Sequence, residues 1–354
     1  MRLRRRLPIW LGVLLVAAAV SVIVLLRKQA PPEPARLLPG ADGFFYVNLK
    51  WVRRMNVTGQ LPSVSRDPDY QQFIQQTGFE FERDLDQAAF AIHYPAGLTL
   101  ENGARPDGPR FSEVFVGKID GQKLRAYLGH IATSVEPYSS TDIYSIPLEG
   151  RTLRVAILSV DTVAASNHPD PQVIRGIVDR SRKLASPFGG PQLLRQYYKH
   201  VPLASLAWAI FKVSPKNGAA MPGPVDFSFL FNNPAVLVTS ARWLGSLHLR
   251  AAAYTNSPGE AHHVAEQLNT FLTMFHAAET SVPGQASDAD IKGFFDSLKV
   301  EQHENTTILS AVLPPGFVKK AFAGPPNEMM APEDETSAPE RTPAKTPPKS
   351  KQVK

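Results

Sequence analysis

The chain has 354 residues and a formal net charge of +6, but residues 1–28 hold six cations and no acid, so the remaining 326 residues balance at 32 basic against 32 acidic side chains. A nucleic-acid binder carries its basic footprint on the folded part, and this sequence places it elsewhere. Zero cysteines exclude thiolate catalysis, disulfides, cysteine-ligated zinc and lipoprotein processing, and suit an oxidising compartment.

Residues 1–6 form a basic stub with Arg2, Arg4, Arg5 and Arg6. From Leu7 to Leu26 no charge interrupts LPIWLGVLLVAAAVSVIVLL, and twenty helical residues at 1.5 Å each give about 30 Å, the thickness of a bilayer's hydrocarbon core. Trp10 lies near one end, where an indole reaches the headgroup zone. Four arginines before the span outnumber Arg27 and Lys28 just after it, which predicts a cytoplasmic N-terminus with the bulk of the chain periplasmic or extracytoplasmic. The apolar run exceeds the usual signal-peptide core and lacks a small-x-small cleavage site, so residues 7–26 read as an uncleaved signal anchor in the inner membrane; cleavage is the competing reading.

Residues 27–36 then form a Pro-rich spacer, with QAPPEPAR expected to be extended. A first α+β half is expected over 37–213. Its strands are 44–50, 88–94, 112–119, the hairpin 143–148/151–159 and 205–213, with helices at 68–77, after Asp120-Gly121 and after Asp170-Pro171. A Pro/Gly-rich break at 214–224 precedes a second half over 225–324. There, strands 235–243 and 246–255 lead to a capping box at Ser257-Pro258-Gly259-Glu260, a long helix, and a hairpin 298–304/306–314. The helix stripe is Ala261, Val264, Ala265, Leu268, Phe271, Leu272 and Phe275. The fold class is therefore α+β, with mainly antiparallel sheets, helices on one face, and two halves that resemble split βαβ units. Residues 325–354, with seven prolines and no aromatic, read as a disordered Pro/Lys-rich tail.

Three segments carry a resemblance: RLLPGADGFFYVNLK (36–50), TGFEFERDLDQAAFAI (77–92) and LRVAILSVDTVAASNHPDPQVIRGIVDR (153–180). On them the chain resembles a group of bacterial envelope proteins built on a domain of unknown function, with an N-terminal anchor and a leucine-proline lead into the first strand. The resemblance covers about 36–320 and implies an α+β ectodomain. It carries no catalytic residue across.

Chemical motifs are sparse. Glu260, His262, His263 and Glu266 form a metal-like set, since helical spacing places Glu260 beside His263 and His262 beside Glu266. All four lie opposite the apolar stripe, which equally fits a solvated helix face. Asp170 and Asp290 read as helix-terminal acids, and Asp84 and Asp86 as a turn leading into a strand. Gly-x-Ser-x-Gly, Ser-x-x-Lys, Walker, dinucleotide and His-Glu-x-x-His motifs are absent from the sequence. The sequence thus points to a non-enzymatic envelope module that needs no cofactor and binds a protein or envelope polymer. A hydrolase, metal-assisted through residues 260–266, is the alternative. A small-ligand carrier is the third class and requires an apolar cavity between sheet and helices.

Overall fold

The computed structural model describes residues 30–55, 68–94, 108–148, 150–182, 189–213, 230–281 and 289–316. The span at 7–26, the sequence around Asn56, the break at 214–224, Asp288 and the tail at 325–354 lie outside the described residues. Among those described, no helix is long and apolar enough to cross a membrane.

One twelve-stranded, wholly antiparallel sheet runs β11-β12-β10-β9-β8-β1-β2-β3-β7-β6-β5-β4. Its strands in chain order are β1 Gly43–Asn48, β2 Leu85–His93, β3 Arg110–Gly117, β4 Ser134–Tyr138, β5 Thr141–Leu148, β6 Arg151–Ile157, β7 Thr162–Ser166, β8 Ala207–Val213, β9 Ala235–Trp243, β10 Leu247–Tyr254, β11 Lys299–His303 and β12 Thr306–Leu313. The fold is α+β, and a single continuous sheet joins the two expected halves. The first strand lies at its centre, between β2 and β8, with Tyr46 opposite Ala89 on one side and Trp208 on the other. Both outer strands carry features that discourage further pairing: Pro137 and Glu136 on β4, and Lys299, Glu301 and His303 on β11.

The two flanks use a related connection. A hairpin (β2–β3 or β9–β10) is followed by a helix, and the chain returns so that its last strand pairs with the hairpin's second strand. On the β10 flank, β10 and β11 run parallel with only β12 between them. On the β3 flank, β3 and β4 run parallel with β7, β6 and β5 between them.

Side-chain alternation gives the sheet two apolar faces, and helices cover both, not the one face expected from sequence. On one face Phe44, Tyr46, Val114, Ile143 and Ala156 pack against Leu37, Ile174, Ile177 and Leu194. Those partners come from α1 (Glu33–Leu37), α6 (Gln172–Arg182) and α7 (Gln192–Tyr197). At the centre of this face Trp208 stacks on Tyr46 with ring centroids 5.5 Å apart. On the opposite face Tyr144, Val155, Val163 and Ala165 meet Leu124 and Leu128 of α5 (Gly121–Ile131). Further along that face, Ala253 meets Val264 of α8 (Pro258–Ser281), and the Thr307 hydroxyl donates to the Ala261 carbonyl (2.6 Å).

Two local expectations change. Residues 33–37 are not an extended spacer but the helix α1, with Ala35 and Leu37 buried. Prolines in a helix's first turn lose no intrahelical bond, and Arg180 Nε fastens the segment by donating to the Leu37 carbonyl (2.6 Å). Among the described residues of the α8 stripe, Ala261, Val264 and Ala265 are buried, Leu268 and Leu272 are partly buried, and Phe271 is exposed, as is Met274 beside it.

Candidate functional site

A cavity of about 280 Å³ lies between the sheet and two helices, α3 (Pro68–Thr77) and α5. Its floor comes from strand alternation: Glu113 and Phe115 on β3, Val163 and Ala165 on β7, and Val155 on β6 all face this side. Because neighbouring residues of a strand point oppositely, Ser112 and Val114 are turned into the core on the far face.

The roof is built by local sequence. The Asp120 carboxylate caps α5, accepting from the backbone N–H of Gln122 (3.0 Å) and Lys123 (3.1 Å). Leu124 and Leu128, four apart, then share the face turned to the sheet. Helix α3 stops at Gly78, whose φ of +72° is a left-handed C-terminal turn that glycine adopts without strain. Beyond it, the short helix α4 (Phe81–Asp84) brings Phe81 back, so that Phe73 packs on Phe79, Phe81 and Tyr127 with centroids 5.3–6.3 Å apart. This aromatic cluster closes one end of the cavity.

Glu113 is the residue that makes the cavity chemically distinct. It has no hydrogen-bond or ionic partner among the described residues, and its neighbours across the ladder are Phe90 and Ala165. Burial without compensation raises its carboxyl from 4.5 to about 7. Near neutral pH the group is therefore poised between a hydrogen-bond donor and an anion. No motif marks it in the sequence. The available signal was Phe111, Glu113 and Phe115 at alternate positions, a carboxyl between two aromatics on one strand face.

The four expected metal-like residues occupy the first three turns of α8 and divide into separate roles. The Glu260 carboxylate accepts from Asn233 Nδ2 (2.6 Å) and from the Asn256 backbone N–H (3.0 Å), while the Glu260 N–H donates to Ser257 Oγ (3.3 Å). That makes it a capping residue with a reach one position longer than the usual box. His262 pairs with Glu266 at 3.2 Å, both well exposed, and its Nδ1 lies 3.1 Å from Gln302 Oε1. His263 is partly buried on the neighbouring side of the helix. Among the described residues, no group of three or more His, Asp or Glu side chains has a metal-holding arrangement.

Other acids noted in the sequence are also occupied structurally. Asp170 Oδ1 accepts from the Gln172 N–H (2.8 Å), capping α6. Asp84 is paired with Arg83 (2.6 Å), and Asp86 with Arg53 (2.6 Å).

A serine–histidine contact exists on the opposite face of the sheet, one residue along β3 from Glu113: His93 Nε2 lies 3.1 Å from Ser112 Oγ, which lies 3.0 Å from Ser166 Oγ. The Ser166 hydroxyl donates onward to the Phe111 carbonyl (3.3 Å), so Ser112 donates to Ser166, and His93 donates to Ser112. In that polarity His93 is not a base for Ser112. Ser112 is also 0% exposed, beyond reach of a substrate. Burial, then the nearby His168, push the His93 imidazole down to about 4, so it stays neutral.

No family model and no curated protein matches this chain. Among solved structures, crystal form III of TP0453 aligns at 8% identity over 83% of this chain and 97% of that one, with a TM-score of 0.42. Crystal form IV of TP0453 aligns at 9% identity over 82% and 95%, with a TM-score of 0.43. Likeness at that level carries no argument about function.

Proposed function

We propose that this chain is a membrane-tethered, non-enzymatic binding module whose ligand is a small amphiphile held in the cavity beneath α3 and α5. The observation that carries this reading is Glu113, an unpaired carboxyl on the floor of a largely aromatic and aliphatic cavity whose other acid, Asp120, is engaged in capping α5. Ligand sites commonly combine an apolar lining with few polar groups that fix orientation. An apolar body would fill the space under Phe73 and Leu128, and a single hydroxyl or amine would meet Glu113. An ammonium head favours the carboxylate; a hydroxyl can pair with either protonation state.

This reading replaces the partner expected from sequence, a protein or envelope polymer, with a small molecule, the third class weighed above. It keeps the placement proposed for the rest of the chain: residues 7–26 in the inner membrane, the N-terminus cytoplasmic, the sheet domain extracytoplasmic. We also infer that the two flanks of the sheet, each a hairpin, a helix and a return, are variants of one split βαβ-like unit.

The test is native mass spectrometry of full-length protein, with organic extraction of whatever co-purifies. Wild type should carry a small amphiphile near stoichiometry. Leu128→Trp, which fills the cavity, should release it with the fold retained by circular dichroism. Equal occupancy in both proteins, or none in wild type after gentle extraction, defeats the proposal.

A further inference from the structure

The end of the sheet where the chain enters the fold carries a second feature, unrelated to the cavity above. Trp51 lies on α2 (Leu49–Met55), directly after β1, and Leu203 lies in the loop leading to β8. They line one depression of about 290 Å³ together with Pro32, near the start of the described chain. Trp51 is 44% exposed and Leu203 61%. The β9–β10 turn projects from the same end, because Leu206 donates to the Ala241 carbonyl and β9 continues only to Trp243. Its Leu244 is 63% exposed. Three of the largest exposed apolar side chains thus share one rim, across four neighbouring strands, β10-β9-β8-β1.

Cations surround this rim. Lys50, Arg54 and Lys199 are exposed, and the nearby Asp86 is engaged by Arg53 at 2.6 Å with Lys50 at 3.9 Å, which leaves the cations in excess. A tryptophan, two leucines and several cations are the mixture that suits the headgroup layer of an anionic bilayer. The course of the chain identifies the surface to be met. Leu26 ends the apolar span and Pro32 borders the rim, so six residues, at most about 20 Å of extended chain, separate the two. A sheet held that close must turn the end bearing Pro32 toward the membrane.

We propose that the rim formed by Trp51, Leu203 and Leu244 docks on the lipid surface from which the chain emerges, fixing the orientation of the domain on the bilayer. This rests on residues 7–26 being a membrane anchor, and it is independent of the amphiphile cavity.

The absence of cysteine makes the test direct. Full-length protein in nanodiscs of phosphatidylethanolamine and phosphatidylglycerol carries one nitroxide label at a time, on Leu203→Cys, Leu244→Cys or Glu304→Cys. The last lies in the β11–β12 turn at the opposite end of the sheet. Labels at 203 and 244 should collide more often with oxygen than with a water-soluble nickel chelate, by severalfold, and the label at 304 should show the reverse. If the protein integrates into discs but all three labels behave as the one at 304 does, docking is overturned and the anchor stands. If it fails to integrate, the anchor falls and the docking proposal with it.

Discussion

Glu113 and Phe90 are direct cross-strand partners on β3 and β2, so a carboxyl faces an aromatic ring where the pattern of a sheet core calls for a second apolar group. The folded protein holds that carboxyl at about 7 against 4.5 when free. Between those values the folded state retains a proton that the unfolded chain has lost, so stability declines as pH rises from about 4.5 to 7. About 2.5 units correspond to roughly 3 kcal/mol at most. Glu113→Leu should therefore gain stability relative to wild type across this window and hold the gain above it. Thermal unfolding at pH 4 and pH 8 measures the difference, and an equal gain at both pH values would contradict it.

His93 produces the opposite slope. Its imidazole is depressed from 6.5 to about 4 by burial and by His168, so the unfolded chain binds a proton that the folded state refuses. Stability is complete above pH 6.5 and is lost as pH falls toward 4, again by up to roughly 3 kcal/mol. The two slopes largely cancel between about pH 4.5 and 6.5. Wild type should look nearly insensitive to pH in that interval, His93→Phe should become less stable as pH rises through it, and Glu113→Leu more stable. Appearance of pH dependence in neither variant would show that these groups are not the ones titrating.

What could be read in the sequence depended on how local its cause is. Asp170, Ser257-Pro258 and Asp120 announce helix starts because a cap is satisfied within three residues, and all three helices begin there. β7, by contrast, is TVAAS: Ala164 is 0% exposed because α6 packs closely over it, and small residues carry no strand pattern of their own. α1 was masked by prolines that read as extended chain until α6 and the sheet supply a surface to pack on. The central place of β1 is set by its pairing with β8, 160 residues away in the case of Val47 and Ala207, and no nearby residue encodes it. At the site, Glu113 is visible as a residue but not as a cavity floor, because the cavity exists only once α3 and α5 meet over β3, β7, β6 and β5.

Glycines in the first half should separate by their surroundings. A Cβ at Gly117 would lie 2.5 Å from the Asp84 carbonyl oxygen, a backbone atom held beside the irregularity between Leu85 and Gln87. Gly117→Ala should cost about 1–3 kcal/mol, since backbone and not a flexible side chain must move. A Cβ at Gly129, inside α5, meets nothing within 4 Å, so Gly129→Ala should stabilise by about 0.4–1 kcal/mol through unfolded-state entropy. Urea midpoints of the two variants should move in opposite directions, and a shared direction would contradict the local geometry.

The residues at 260–266 allow capping and metal binding to be told apart. Glu260 holds the Asn256 N–H and Asn233 Nδ2 at the start of α8, so Glu260→Ala should cost about 1 kcal/mol, with or without added zinc. His263 has no hydrogen bond or ion pair among the described residues, and His263→Ala should shift stability by less than about 0.5 kcal/mol. A bound metal stabilises the folded state in proportion to its affinity. A zinc-dependent rise in Tm in wild type, abolished by His263→Ala, would therefore restore the metal-assisted reading. Unchanged melting on titration with zinc leaves Glu260 as a helix cap and His262–Glu266 as a solvent-exposed pair.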